Sequence, residues 1–164
     1  MTCETCGGKV RRERAVRAYD AKLPDVIVDG LEHVTCSTCG DLGTGFPRAM
    51  ELGRLVVGAI VGKRHRLAPN EVSFLRGASG FRGHELAETL GVTPAQVSRW
   101  ETGRMPISAL ADRLLRVIAS SVWELEMPVL KGIDGSHGEP VRLRVERGPK
   151  GWRVLGGANA KKAA

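Results

Sequence analysis

The sequence predicts an α+β protein in four parts: a small β-rich module at 1–46, a linker helix at 47–66, an all-α domain at 67–121, and a tail at 122–164 carrying a β-hairpin. Three observations predict it. Two Cys-x-x-Cys pairs bracket short alternating segments near the start. Apolar residues recur at helical spacing through the middle, with cap and stop residues between them. Alternation returns near the end, around Gly148-Pro149-Lys150-Gly151.

With 164 residues, 42% of them hydrophobic, the chain can bury one ordinary core, or two small ones if something besides apolar surface supports the smaller. No apolar run reaches the roughly 18–20 residues of a membrane span, and cysteines stand where a signal peptide would carry its apolar stretch. A cytoplasmic protein without membrane association is expected. The net charge of +7 favours a polyanionic partner. Residues 1–46 carry six Lys/Arg against seven Asp/Glu, and residues 67–121 carry six against five. The excess lies at 47–66, five against one, and at 122–164, eight against five.

In the first part, Arg14–Leu23 alternates loosely and Asp25–Leu31 contains Val26-Ile27-Val28. Large apolar residues are few, so a metal or disulfides must supply the constraint that packing does not. The only cysteines are Cys3, Cys6, Cys36 and Cys39, two Cys-x-x-Cys pairs separated by 29 residues. Each pair, followed by glycine, forms a knuckle presenting two thiolates at about 2.3 Å from a tetrahedral zinc, and two knuckles close the site. Four thiolates leave no open position for water, so the expectation is one structural Zn2+ without catalytic function. The alternatives are two disulfides, disfavoured by an intracellular location, and a thioredoxin-like redox pair, disfavoured by the lack of a βαβ pattern. His33, three residues before Cys36, is expected on the surface or behind the ligands.

The linker helix opens at Pro47, a favoured first-turn residue, and runs to about Arg66, with Met50, Leu55, Ala59 and Ile60 on a common face. Its apolar stretch, Leu55–Val61, suits a buried helix or a dimer contact. Lys63, Arg64, His65 and Arg66 make a basic end. Two readings stand: solvated cations at the negative end of a helix dipole, or phosphate contacts.

In the all-α domain, Leu86, Ala87 and Leu90 give one helix an apolar face, and Ala87 is small enough for a second helix to cross closely. Gly91 suits the left-handed turn that stops the first helix. Thr93, with Pro94 next and Gln96 three residues on, reads as a capping box starting the second. Val97 and Trp100 face inward. Gly103 closes that helix, and Ser108 caps another through Leu110, Leu114, Leu115 and Ile118. Two helices joined this way form a helix-turn-helix, a pair that any small helical bundle can contain and that in DNA-binding proteins sends its second helix into the major groove. Its outward residues are Ala95, Gln96, Ser98, Arg99 and Thr102, with Thr93 at its start. Arg99 is expected to grip a guanine by O6 and N7, worth roughly 1–3 kcal/mol of discrimination. Gln96 reads adenine unless the capping box holds its amide, and Ser98 takes a base or a phosphate. Arg82, His84 and Arg104 flank the unit and suit phosphates.

The residues from Leu86-Ala87 through Leu90-Gly91-Val92-Thr93 to Val97-Ser98-Arg99-Trp100-Glu101 and Gly103 resemble the lambda-repressor-like (XRE, Cro-like) DNA-binding family. That resemblance implies that Trp100 belongs to the core and Glu101 to a structural contact. Ala68 stands where that family more often has a capping Ser or Thr. With the cysteine pattern and connector added, residues 1 to about 121 resemble the MqsA/YgiT-type antitoxins. This wider resemblance implies a homodimer on a palindromic operator in double-stranded DNA. It further implies a zinc module that binds a small ribonuclease toxin, and repression of the chain's own operon. A stand-alone zinc-containing regulator without a toxin is the other expectation. No Ser/His/Asp set, paired carboxylates or open metal site suggests an enzyme. The tail lies outside the resemblance: its basic hairpin, Val141–Val145 with Trp152–Leu155, suits phosphate contact, extension of a dimer sheet or partner binding alike, and Gly156–Ala164 reads as disordered.

Overall fold

The structure, a computed structural model, describes residues 2–126, 130 and 133–156. It is α+β: N-terminal strands bearing the cysteines, five helices that include the helix-turn-helix, and C-terminal strands. No helix among the described residues is long and apolar enough to cross a membrane.

Three strands open the chain: β1 (Val10–Asp20), β2 (Leu23–Cys36) and β3 (Gly40–Gly45). Then follow α1 (Ala49–Val61), β4 (His65–Arg66), α2 (Pro69–Ala78), α3 (Gly83–Leu90), α4 (Pro94–Glu101) and α5 (Ala109–Val122). The tail supplies β5 (Asp134–His137), β6 (Leu143–Gly148) and β7 (Gly151–Gly156).

β2 is the hub. β1 pairs antiparallel along one edge; on the other, β3 pairs antiparallel beside the Cys36 end, and β6 pairs parallel over Val26–Asp29. The expected hairpin therefore exists, as β6 and β7, and it completes a five-stranded sheet with the N-terminal strands. Ion pairs tie its strands together: Arg14 binds Asp29 of β2 at 2.7 Å and Glu146 of β6 at 3.5 Å, and Glu146 in turn holds Arg153 of β7.

The buried residues of the sheet, among them Leu23, Val26, Val28, Leu31 and Val145, share one core with α1 and with the helical domain. Burying such a side chain contributes about 1.5–3 kcal/mol. Packing thus constrains residues 23–31 directly, which corrects the expectation that a metal or disulfides must hold the N-terminal region together. The partners that make this possible, α1 and β6, lie outside that region.

α1 begins at Ala49 and ends at Val61, inside the expected 47–66, because Gly62 caps it. Its buried face is Leu52, Gly53, Val56, Val57, Ile60 and Val61, so only Ile60 of the expected stripe is fully buried and Met50 is 64% exposed. The phase differs because α1 is covered from two sides, by α5 and by β7. Trp123 lies where a Gly53 side chain would stand, 2.3 Å from its Cβ position. On the other flank the hairpin turn docks on the first turn of α1: Trp152 N–H donates to Glu51 Oε1 (2.9 Å), Trp152 Nε1 to the Pro47 carbonyl (2.8 Å) and Arg48 to the Lys150 carbonyl (3.0 Å).

At the basic end of the linker, Lys63 fits neither expected reading, while Arg64 stays exposed. Lys63 is 2% exposed; its ammonium pairs with Glu71 and donates to the Glu139 carbonyl at 3.0 Å. Arg116 of α5, equally buried, pairs with Asp112 and donates to the carbonyls of Val61, Lys63 and His65. Each buried charge is matched and hydrogen-bonded, as burial requires. Glu71 also accepts from the N–H of Ala68 (2.7 Å) and of Val141 (2.7 Å). Half a capping box thus explains how Ala68 starts α2 without a side-chain cap.

In α5, Ser108 caps as expected, accepting from Ala111 N–H at 3.2 Å. Leu115 is buried, but Leu110 is 68% and Leu114 39% exposed, on the face turned away from α1 and α2. Gly156, expected in the disordered end, closes β7, and residues 157–164 lie outside the described residues.

Candidate nucleic-acid interface and metal centre

α3 and α4 form a tight pair because the turn between them suits their sequences. Gly91 takes φ 66° and ψ 35°, a left-handed conformation that costs glycine nothing, and Val92 N–H returns to the Ala87 carbonyl at 2.9 Å. Thr93 then caps α4, its hydroxyl oxygen accepting from Gln96 N–H at 3.2 Å. Leu86, Ala87, Val97 and Trp100 are buried between the helices and the core.

The opposite face of α4 is open. Thr93, Ala95, Ser98 and Arg99 are exposed, and Gln96 is half-buried. Thr102 is exposed too, but its hydroxyl donates to the Ser98 carbonyl at 2.8 Å, which satisfies it locally. Arg82 and His84 sit at the start of α3, and Arg104 follows α4; all three are exposed. Among the described residues no acid pairs with Arg82, Arg99 or Arg104, whereas Arg76 and Arg116 of the same domain are bound. Arg82 stands at the start of α3, Arg99 in the last turn of α4 and Arg104 just beyond it, so these unpaired guanidiniums all belong to the helix-turn-helix unit.

Glu101 has a structural role. Its carboxylate takes a forked contact from Arg76, Nε to Oε1 at 2.5 Å and Nη2 to Oε2 at 3.3 Å, while Arg76 Nη1 donates to the Phe81 carbonyl at 2.9 Å. The C-terminal end of α4 is thereby fixed to α2 and to the turn before α3. Arg76 itself was not among the expected residues; an Arg on a helix interior has no local signature for a partner 25 residues away.

The four cysteines converge at the end of the sheet. Their sulfurs all lie within 4.8 Å of one another, with Cys3–Cys39 at 3.7 Å and Cys6–Cys36 at 3.4 Å. A tetrahedron with bonds of about 2.3 Å has edges near these lengths. Each knuckle is built by backbone: Gly7 N–H returns to the Cys3 carbonyl (2.8 Å), and Thr38 N–H donates to Cys36 Sγ (3.4 Å). Gly8 lies so close to the second knuckle that a Cβ there would meet Thr38 Oγ1 at 2.5 Å and Cys36 Sγ at 2.9 Å. Backbone N–H groups of Cys39 and Thr38 hold the Cys36 thiol down to about 6, and those of Cys6 and Thr5 lower Cys3. Hydrogen bonding with Cys6 and with the other two thiols pushes Cys39 up to about 12. Four cysteine sulfurs at these separations are a donor set that fits one tetrahedral metal ion with soft-ligand preference. His33 lies apart from it, its Nδ1 3.5 Å from the Arg17 guanidinium.

A helix-turn-helix family model matches residues 74–120, from the middle of α2 to the last turn of α5. No curated protein and no solved structure matches the chain. Residues 74–120 are an XRE-type helix-turn-helix domain, the DNA-binding unit of transcriptional regulators. The sheet and its cysteine cluster lie outside the match.

Proposed function

We propose that this chain is a sequence-specific transcriptional repressor that binds a palindromic operator as a homodimer. The observation that carries this reading is the open face of α4, with Arg99 free of any acid among the described residues, inside a helix-turn-helix domain. Arg99 reads guanine; Ala95, Gln96 and Ser98 complete the base-reading surface, with Thr93 at its edge; Arg82, His84 and Arg104 hold phosphates on either side. In a dimer the two copies of α4 lie about 34 Å apart, one turn of DNA. Arg76 and Glu101 position α4 without touching DNA. The reading is tested by footprinting the purified chain on the DNA upstream of its own gene: a protected pair of inverted half-sites supports it, and protection without sequence preference refutes it.

The cysteines would hold one structural zinc ion, which supplies the covalent-like closure of the two knuckles and no catalysis. Cys3, Cys6, Cys36 and Cys39 are its ligands.

Within this function, we propose that the chain serves as a type II antitoxin of the MqsA/YgiT kind. The zinc-bearing strands would bind a small ribonuclease toxin, and the helix-turn-helix would repress the operon. The pairing of a four-cysteine module with an XRE-type domain supports it. Co-expression with the neighbouring reading frame decides: rescue of growth and co-purification of a small ribonuclease support the antitoxin, and toxicity without rescue refutes it. One observation favours the second reading, a stand-alone regulator. The zinc-bearing strands share a sheet and a core with α1, β6 and β7, so they are not a detachable arm on a mobile linker.

A further inference from the structure

The chain has only seven aromatic residues, and four of them, Tyr19, Phe46, Phe74 and Trp123, line one cleft of about 320 Å³. It opens where the ends of β1 and β3 meet the first turn of α1, the end of α2 and the end of α5. Its size falls in the range of small-ligand sites. The proposed DNA-reading and zinc-binding residues are not part of it.

Three of the rings pack edge to face. Tyr19 meets Phe46 edge-on, centroids 6.3 Å apart and planes at 89°, and meets Phe74 at 6.0 Å and 72°. Trp123 is fixed before any ligand arrives: its Nε1 donates to the Ala78 carbonyl at 3.0 Å, and its ring fills the space left by the missing side chain of Gly53. Phe46, at the mouth, is 39% exposed, a large ring left open to water. Asp20 is the one acid on the lining, and it is oriented, since its Oδ1 accepts from Lys22 N–H at 2.8 Å. Burial, with the Asp20 charge adding to it, raises the Tyr19 phenol above its ordinary value, so Tyr19 stays neutral. The Lys22 ammonium donates to the Ser73 carbonyl at 3.5 Å and, among the described residues, forms no ion pair with Asp20.

Aromatic side chains make up most of the lining, and the Asp20 carboxylate beside them adds a full negative charge, so a weakly hydrated cation with an apolar body gains from both, whereas an anion is repelled. We propose that this cleft is a binding site for an organic cation, a quaternary or tertiary ammonium carrying a ring or short alkyl body, with the ammonium seated among Tyr19, Phe46, Phe74 and Trp123 beside Asp20. The assignment does not depend on the operator-binding function.

The test uses the full chain and two probes of the same shape, benzyltrimethylammonium and its neutral isostere neopentylbenzene, titrated while the Trp123 indole N–H resonance is followed. The cation is expected to saturate the shift and to bind at least roughly tenfold more tightly than the isostere. Asp20→Asn keeps an acceptor for the Lys22 N–H, so the turn persists; it should weaken the cation several-fold and leave the isostere unchanged. Phe46→Ala, at the exposed mouth, should weaken both. Equal affinity for the two probes reduces the cleft to an apolar surface and overturns the proposal. So does the absence of any Trp123 shift at millimolar cation, or cation binding indifferent to Asp20→Asn.

Discussion

Lys63 and Glu71 form an ion pair with both side chains fully buried, where the chain passes from α1 into the helical domain. In a run reading Lys-Arg-His-Arg, the first cation faces inward. One oxygen of Glu71 receives the Lys63 ammonium and the Ala68 N–H, and the other receives the Val141 N–H. A single carboxylate thus joins the linker, α2 and the tail.

Replacing Lys63 with Met should therefore damage stability and not DNA affinity. It strands the Glu71 charge in the core, which costs about 3–5 kcal/mol. Urea unfolding of the variant measures the loss. A stable Lys63→Met protein with weaker, less salt-dependent DNA binding would return Lys63 to the phosphate contacts.

The tail hairpin should be indispensable to the fold. Trp152 is 7% exposed and hydrogen-bonded at both its backbone and its indole, so Trp152→Ala should cost about 3–5 kcal/mol. Deleting residues 141–164 should expose Val26 and Val28 and abolish cooperative melting. An unchanged melting curve for the deletion would make the hairpin an appendage.

Metal removal should loosen only one end of the sheet. The sequence alone suggests that residues 1–46 unfold with the zinc, but Leu23–Leu31 is packed on α1 and β6. Hydrogen exchange of chelated protein should show lost protection near residues 2–9 and 36–45, with residues 23–31 still protected. Loss across all of 1–46 would favour an independent zinc module.

Zinc affinity should fall more steeply once the solution is acidified below about pH 6, where the Cys36 thiolate takes up its proton. At pH 8 Cys36 is already ionised, while Cys39, pushed up to about 12, gives up its proton only to the metal. Zinc titrations in two buffers of different ionisation enthalpy should therefore show fewer than four protons released at pH 8. Release of all four would contradict the lowered Cys36.

Breaking the fork between Arg76 and Glu101 should disturb α4 without removing a DNA contact. Glu101→Gln is expected to destabilise by about 1.5–3 kcal/mol, the range for hydrogen bonds to charged groups, and Arg76→Gln, the other half of the fork, should match it in both stability and operator affinity. A loss of operator affinity in Glu101→Gln with no loss of stability would place Glu101 at the bases.

The parts of this fold that were legible in the sequence are the local ones. Gly91, Thr93 and Ser108 act within four residues of themselves, and the alternation of Leu86, Ala87, Val97 and Trp100 lies inside one supersecondary unit. The cysteine knuckles are equally local. The parallel pairing of β2 with β6 joins residues more than a hundred apart, and such pairing imposes no pattern beyond the alternation any strand has. The burial of Lys63 was hidden for the same reason: its cage comes from α2 and from the tail backbone. Leu110 and Leu114 carry the opposite lesson, since helical spacing marks an apolar face without saying whether anything covers it.

The most direct measurement is fluorescence anisotropy of Arg99→Ala on a fragment of its own promoter and on random DNA of equal length, across a salt series, with Arg104→Ala beside it. Expected is a loss of about 1–3 kcal/mol for Arg99→Ala on the promoter alone, while Arg104→Ala weakens both DNAs and lowers the salt slope by about one. Equal losses on promoter and random DNA for Arg99→Ala would contradict base reading by α4.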